Sequence, residues 1–139
     1  MYPLVHPQQI KQGWLCNEHN KCLAVSGNNS DNGKQVIQWD QVQEKGQIWT
    51  LDESGHLCNG YNKCLAASGN SNANGKSLIQ WDPLDEQGQR WTLDTSGHLC
   101  NQHNKCLAVP ENNNSSGKGL IQWEPKDEAG QKWKFVKLP

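Results

Sequence analysis

Hydrophobic and polar residues alternate along this chain in short bursts, and no stretch carries an apolar stripe at helical spacing. "WTLD" at Trp49–Asp52 alternates, Glu53–Gly55 turns, and "HLCN" at His56–Asn59 alternates again. A polar loop follows, then "KCLA", a Gly/Asn/Ser-rich loop, and another run such as "QVIQWD" at Gln35–Asp40. Period-two runs separated by Gly, Asn and Ser clusters predict β-strands joined by tight turns.

The unit recurs. Cys16, Cys58 and Cys100 stand 42 residues apart, and so do Cys22, Cys64 and Cys106. Trp39, Trp81 and Trp123 keep the same interval, as do Trp49, Trp91 and Trp133. The phrase "NKCLA" is written three times, from Asn20, Asn62 and Asn104. An internal repeat of this length constrains the architecture before any other feature does. Two architectures use four-stranded units. Gly55-His56 and Trp81-Asp82 mimic the signature of a propeller blade, but propellers close with about four to eight blades, and three copies are present. A β-trefoil closes with three. The expected fold is therefore all-β: one pseudo-threefold β-trefoil over residues 1–139, with four-stranded repeats at about 13–54, 55–96 and 97–138. A strand at about 4–10 is expected to seal the barrel against 134–137, since an open edge invites aggregation.

Composition narrows the function classes. A length of 139 residues allows one modest core. Net charge is −1 with a single arginine, Arg90, and there is no basic stripe. Nucleic acid and anionic membrane are therefore not expected as partners. Long apolar runs are absent, which excludes a transmembrane helix. The start, "MYPLVHPQQI", lacks the charged and apolar regions of a signal peptide. Placement is left between secreted or extracellular and cytosolic. No phosphate loop, nucleophile elbow or His–Glu metal motif is present, so neither an enzyme nor a cofactor is expected.

Seven Trp against two Tyr and one Phe is an odd aromatic balance. Trp serves as a core plug or as an exposed stacking plate. Trp49, Trp91 and Trp133 lie on alternating strands and read as core. Trp39, Trp81 and Trp123 follow a polar loop and precede Asp40, Asp82 and Glu124, which favours exposure. Against this, Ile37 shares a strand face with Trp39, and an inward Ile37 would bring Trp39 inward too.

Six cysteines form three Cys-x5-Cys pairs, read as local disulfides Cys16–Cys22, Cys58–Cys64 and Cys100–Cys106, contributing about 2 kcal/mol each. Disulfides imply an oxidising compartment. Zinc is the rival reading of Cys16-x2-His19-x2-Cys22, but Tyr61 replaces the His in the second copy, and no metal is expected. Asn17, Asn59, Asn101, Asn20, Asn62 and Asn104 read as turn residues. His19, Tyr61 and His103 at the loop tips are candidates for ligand contact.

Gln47-Ile48-Trp49, Gln89-Arg90-Trp91 and Gln131-Lys132-Trp133 are three Gln-x-Trp motifs in register. With the preceding "CLA…G…IQW" they resemble the ricin B-chain-type (R-type) lectins, over about residues 13–135. The resemblance implies a β-trefoil that binds glycans of glycoproteins or glycolipids, often through galactose or N-acetylgalactosamine, at up to one shallow site per repeat. It leaves homodimerisation open. The family's sugar-gripping Asp would fall at Ala24, Ala66 and Ala108, and the Asn of its Asn-Gln pair at Gly46, Gly88 and Gly130. Both are missing from all three copies. The expected sugar-binding set is therefore Trp39, Asp40 and Gln47; Trp81, Asp82 and Gln89; and Trp123, Glu124 and Gln131. Glu44, Glu86 and Glu128 are alternative acids. The other reading is a protein-interaction trefoil, an inhibitor or a toxin's targeting module, that has lost the sugar site.

Overall fold

The computed structural model describes residues 10–139. Among these are twelve strands, four per repeat, and short 3-10 turns. The first repeat contributes β1 (Lys11–Asn17), β2 (Cys22–Val25), β3 (Val36–Trp39) and β4 (Trp49–Leu51). The second contributes β5 (Leu57–Asn59), β6 (Cys64–Ala67), β7 (Leu78–Trp81) and β8 (Trp91–Leu93). The third contributes β9 (Leu99–Asn101), β10 (Cys106–Ala108), β11 (Ile121–Trp123) and β12 (Trp133–Val136).

Every pairing is antiparallel. Within each repeat the middle strands form a hairpin: β2–β3, β6–β7 and β10–β11. Successive repeats join through β4–β5 and β8–β9, and the circle closes where β12 pairs β1. Lys134, Phe135 and Val136 face Cys16, Leu15 and Trp14 in that last pairing. The strand expected at 4–10 falls, but for Ile10, outside the described residues. Three hairpins cap a barrel made from the first and last strands of each repeat, the β-trefoil arrangement.

The core repeats at the interval of the sequence. Leu15, Leu57 and Leu99 are fully buried, as are Leu23, Leu65 and Leu107, and Val36, Leu78 and Leu120. Trp49, Trp91 and Trp133 fill the barrel, each donating its indole N–H to a carbonyl of the hairpin before it: Leu23, Leu65 and Leu107, at 2.9, 2.9 and 3.1 Å. A buried indole needs such an acceptor, because leaving its N–H unpaired would cost about 1–3 kcal/mol. The three expected disulfides form, each joining two cysteines directly opposite across a hairpin. Asn20, Asn62 and Asn104 close the intervening loops in the left-handed region, at φ 62°, 62° and 61°. Asn17, Asn59 and Asn101 accept backbone N–H groups within the same loops.

Candidate functional site

In β3 the residues alternate strictly. Val36 and Gln38 point inward and are fully buried, while Ile37 and Trp39 point outward. Trp39 is 41% exposed and Trp81 38%, among the largest exposed hydrophobic side chains. Trp123 is half-buried. Each indole forms one wall of a shallow cleft on its own repeat. Cleft 1 lies among Ala24, Asn28, Ile37, Trp39, Glu44 and Gly117. Cleft 2 lies among Ala66, Asn70, Ile79, Trp81, Glu86 and Gly33. Cleft 3 lies among Ala108, Glu111, Ile121, Trp123, Lys126 and Glu128. Their volumes are about 460, 490 and 330 Å³. A larger depression of about 570 Å³ lies between Asn17, Asn20, Ser96 and Lys132. It holds no exposed aromatic face, because its Trp133 is only 2% exposed.

Each cleft's indole is backed by a different repeat. The ring of Trp39 packs on Gly117 of the third repeat, Trp81 on Gly33 of the first, and Trp123 on Gly75 of the second. A Cβ at these glycines would lie 3.2, 3.5 and 3.4 Å from the indole Cζ3, and φ is +88°, +87° and +83°. The left-handed backbone favours glycine at all three positions, and at Gly117 the tight space does so as well.

The glycine loops are pinned by the glutamine of each "IQW". Gln80 is fully buried. Its amide donates 2.8 Å bonds to the carbonyls of Asn29 and Asp31 in the loop that carries Gly33. Its oxygen accepts from Asn59 Nδ2 at 2.8 Å. Gln38 holds the Asn113 and Ser115 carbonyls, and Gln122 the Ser71 and Ala73 carbonyls, in the same way. Strand alternation puts Gln38 on the face of Val36, opposite Trp39, but nothing in the sequence signals that these glutamines are buried and pin the loops.

The other expected site residues divide sharply. Gln47, Gln89 and Gln131 are fully buried and turned away from the clefts. Gln47 donates to the Asp40 carbonyl at 2.9 Å and accepts the Val42 N–H at 3.2 Å. Gln89 and Gln131 repeat both bonds. They shape the loop after each cleft Trp, and burial leaves them no surface with which to touch a ligand. Asp40 and Asp82 are exposed but lie outside the clefts. Asp40 pairs with Lys21 at 3.0 Å and accepts from Ser116, next to Gly117. Asp82 pairs with Lys63 at 2.5 Å and accepts from Asn32, next to Gly33. Glu124 shares the place through its backbone N–H, which donates to Asn74 Oδ1 beside Gly75. These residues clamp the glycine loops.

The Lys21 ammonium, helped by the Ser116 hydroxyl, holds the Asp40 carboxyl below its ordinary value of 3.8. Lys63, with Asn32, does the same for Asp82. A depressed carboxyl stabilises the fold above its unfolded value and loses that contribution as pH falls through the lower folded one. Carbon-13 titration of the two carboxyls is therefore expected to give midpoints below 3.8, with both clamps intact above that pH. Midpoints at or above 3.8 would show that the clamps do not form.

Glu44, Glu86 and Glu128 line the clefts and are half-buried. Among the described residues no side chain donates to or pairs with their carboxylates. The glycines at 46, 88 and 130 have a packing cause. The N–H groups of Gly46, Gly88 and Gly130 donate to Oδ1 of Asn28, Asn70 and Asn112, and a Cβ would come within 2.8 Å of that oxygen in each case. The amide that enters clefts 1 and 2 thus comes from the opposite loop, at Asn28 and Asn70. His19, Tyr61 and His103 are tied across repeats, to Asn112 Oδ1, the Asn28 carbonyl and Asn70 Oδ1, rather than free at loop tips. No group of three or more metal-ligating side chains occurs among the described residues.

Residues 11–133 match the family model described as a ricin-type beta-trefoil lectin domain. No curated protein matches the chain. Among solved structures it is similar to ThreeFoil, a designed threefold-symmetric protein, at 26% identity and a TM-score of 0.83, covering 91% of this chain and 99% of that one. A non-toxic homologue of type II RIPs from Momordica charantia (bitter gourd), solved with α-methyl-D-galactoside, is 22% identical with a TM-score of 0.80; 91% of this chain matches 48% of that one. The earthworm R-type lectin C-half, solved with GalNAc, is 20% identical with a TM-score of 0.74, over 89% and 96% of the two chains. These likenesses agree on the fold.

Proposed function

The chain belongs to the ricin-type β-trefoil lectin family, and from that membership we propose that it is a non-enzymatic, multivalent carbohydrate-binding protein whose ligands seat in the three tryptophan clefts. The observation that carries this reading is the outward presentation of Trp39 and Trp81, each backed by a glycine of another repeat. An indole held rigidly with one face open suits the apolar face of a pyranose, and it loses little conformational freedom on binding.

Hydroxyl groups are held by the unpaired carboxylates of Glu44, Glu86 and Glu128, and in clefts 1 and 2 by the amides of Asn28 and Asn70. The acid missing at Ala24, Ala66 and Ala108 is in this way supplied from across the cleft. The finer assignment is to galactose-type sugars of glycoproteins and glycolipids. It is supported by the galactoside and GalNAc bound to two proteins of the same fold. Each site alone is shallow and weak. Several on one rigid body bind a glycan-coated surface by avidity.

A glycan array probed with the native protein and with the Trp39/Trp81/Trp123→Ala variant tests the proposal. Native binding to galactose-terminated glycans, lost in a variant that keeps its circular dichroism, is the expected result. Absence of native binding at high protein density would overturn the lectin reading in favour of a protein-interaction trefoil.

A further inference from the structure

The three clefts are not equivalent, and the difference concerns charge. In clefts 1 and 2 the half-buried carboxylate of Glu44 or Glu86 shares the cleft with an exposed indole, and among the described residues no Lys, Arg or His lines either one. Two lysines of the same repeats are engaged elsewhere: Lys21 pairs with Asp40 and Lys63 with Asp82. At the position of Val42 and Leu84, cleft 3 instead carries Lys126. Its ammonium lies over Trp123, 5.4 Å from the ring centroid, in the cleft that Glu128 also lines. The Lys126 backbone is fixed at both ends, its N–H to Gln131 Oε1 and its carbonyl to His98 Nε2, so the side chain alone places the charge. Cleft 3 is also the smallest of the three.

Lys126 takes only the face of the indole; an ammonium in cleft 1 or 2 that also reached the unpaired carboxylate would gain twice. The geometry points to clefts 1 and 2 as sites for an amino sugar, whose ammonium takes the role that Lys126 plays within cleft 3. This inference rests on the lectin reading and deepens it: the ring stacks on Trp39 or Trp81, and the free amine is selected by Glu44 or Glu86. N-acetylation removes the charge and with it the preference.

The test follows the three indole N–H resonances by NMR while galactosamine, N-acetylgalactosamine or galactose is added at neutral pH and moderate salt, with ethanolamine as a ringless amine. Galactosamine is expected to shift the Trp39 and Trp81 signals at about tenfold lower concentration than either neutral sugar, as one added charge-assisted contact implies. Glu44→Gln/Glu86→Gln should abolish that preference, weakening galactosamine about tenfold more than it weakens the neutral sugars. Lys126→Met should make Trp123 respond as the other two do. Galactosamine binding no tighter than the neutral sugars, or matched by ethanolamine, would overturn the inference and leave the lectin reading standing. No response to any sugar would overturn both.

Discussion

Trp91→Ala is expected to lower the free energy of unfolding by about 3–5 kcal/mol, the range for removing a large aromatic from a packed core. Trp91 has no exposed surface, and it fills the barrel between the Leu triads. Its loss leaves a cavity that neighbouring repeats cannot close, because Trp49 and Trp133 are held in place by their own indole bonds to Leu23 and Leu107. The substitution also removes the donor to the Leu65 carbonyl, which ties barrel to hairpin within the second repeat. For a domain of this size the change corresponds to a fall in Tm of roughly 10–20 °C. Trp91→Phe keeps most of the volume and should cost about half as much. Chemical denaturation of the three proteins decides the matter. A loss under about 1 kcal/mol for the Ala variant would show that the barrel does not depend on its central indoles.

Gln80→Leu is the second large effect, and it reaches the site from inside. The side chain is of similar size, so packing changes little. What is lost is the set of three partners: Asn59 Nδ2 and the carbonyls of Asn29 and Asp31. Each polar group left buried without a partner costs about 1–3 kcal/mol, and some will reach water as the loop relaxes, so a net loss of about 2–4 kcal/mol is expected. The loop from Asn29 to Gly33 then keeps, among the described residues, the Asn32–Asp82 bond, the Asp31 N–H bond to Asn29 Oδ1 and backbone pairing to β7. Gly33 no longer backs Trp81 firmly. The Trp81 indole resonance should broaden or shift while those of Trp39 and Trp123 stay in place. Equal disturbance of all three signals would contradict the local pinning described above.

Much of this molecule was legible in its sequence because the residues concerned repeat. The 42-residue interval, period-two strands and Asn/Gly turns gave the β-trefoil, since only three four-stranded units are available to close a ring. The core tryptophans and the local cysteine pairs followed from strand alternation and short spacing, and the structure shows both. The face of Trp39 was harder. Alternation put Ile37 beside it, and the sequence does not say which face is inner. The fully buried Gln38, satisfied by Asn17 and two loop carbonyls, settles that question. A buried amide among apolar neighbours is not something that a polarity pattern can predict.

The acids illustrate the same boundary. Asp40, directly after the cleft Trp, and Glu44, four residues beyond it, look interchangeable as charges on one loop. Gln47 folds that loop back through its bonds at Asp40 and Val42, which sends Glu44 into the cleft and leaves Asp40 to Lys21 and Ser116. The sequence by itself determined the repeat, the strand count, the barrel-filling residues and the disulfides, because each depends on spacing within one copy. The tertiary structure alone decided which glycine backs which tryptophan, which acid stays unpaired and which cleft holds its own cation. Those depend on contacts between copies, or on a loop's return path, and neither leaves a periodic trace along the chain.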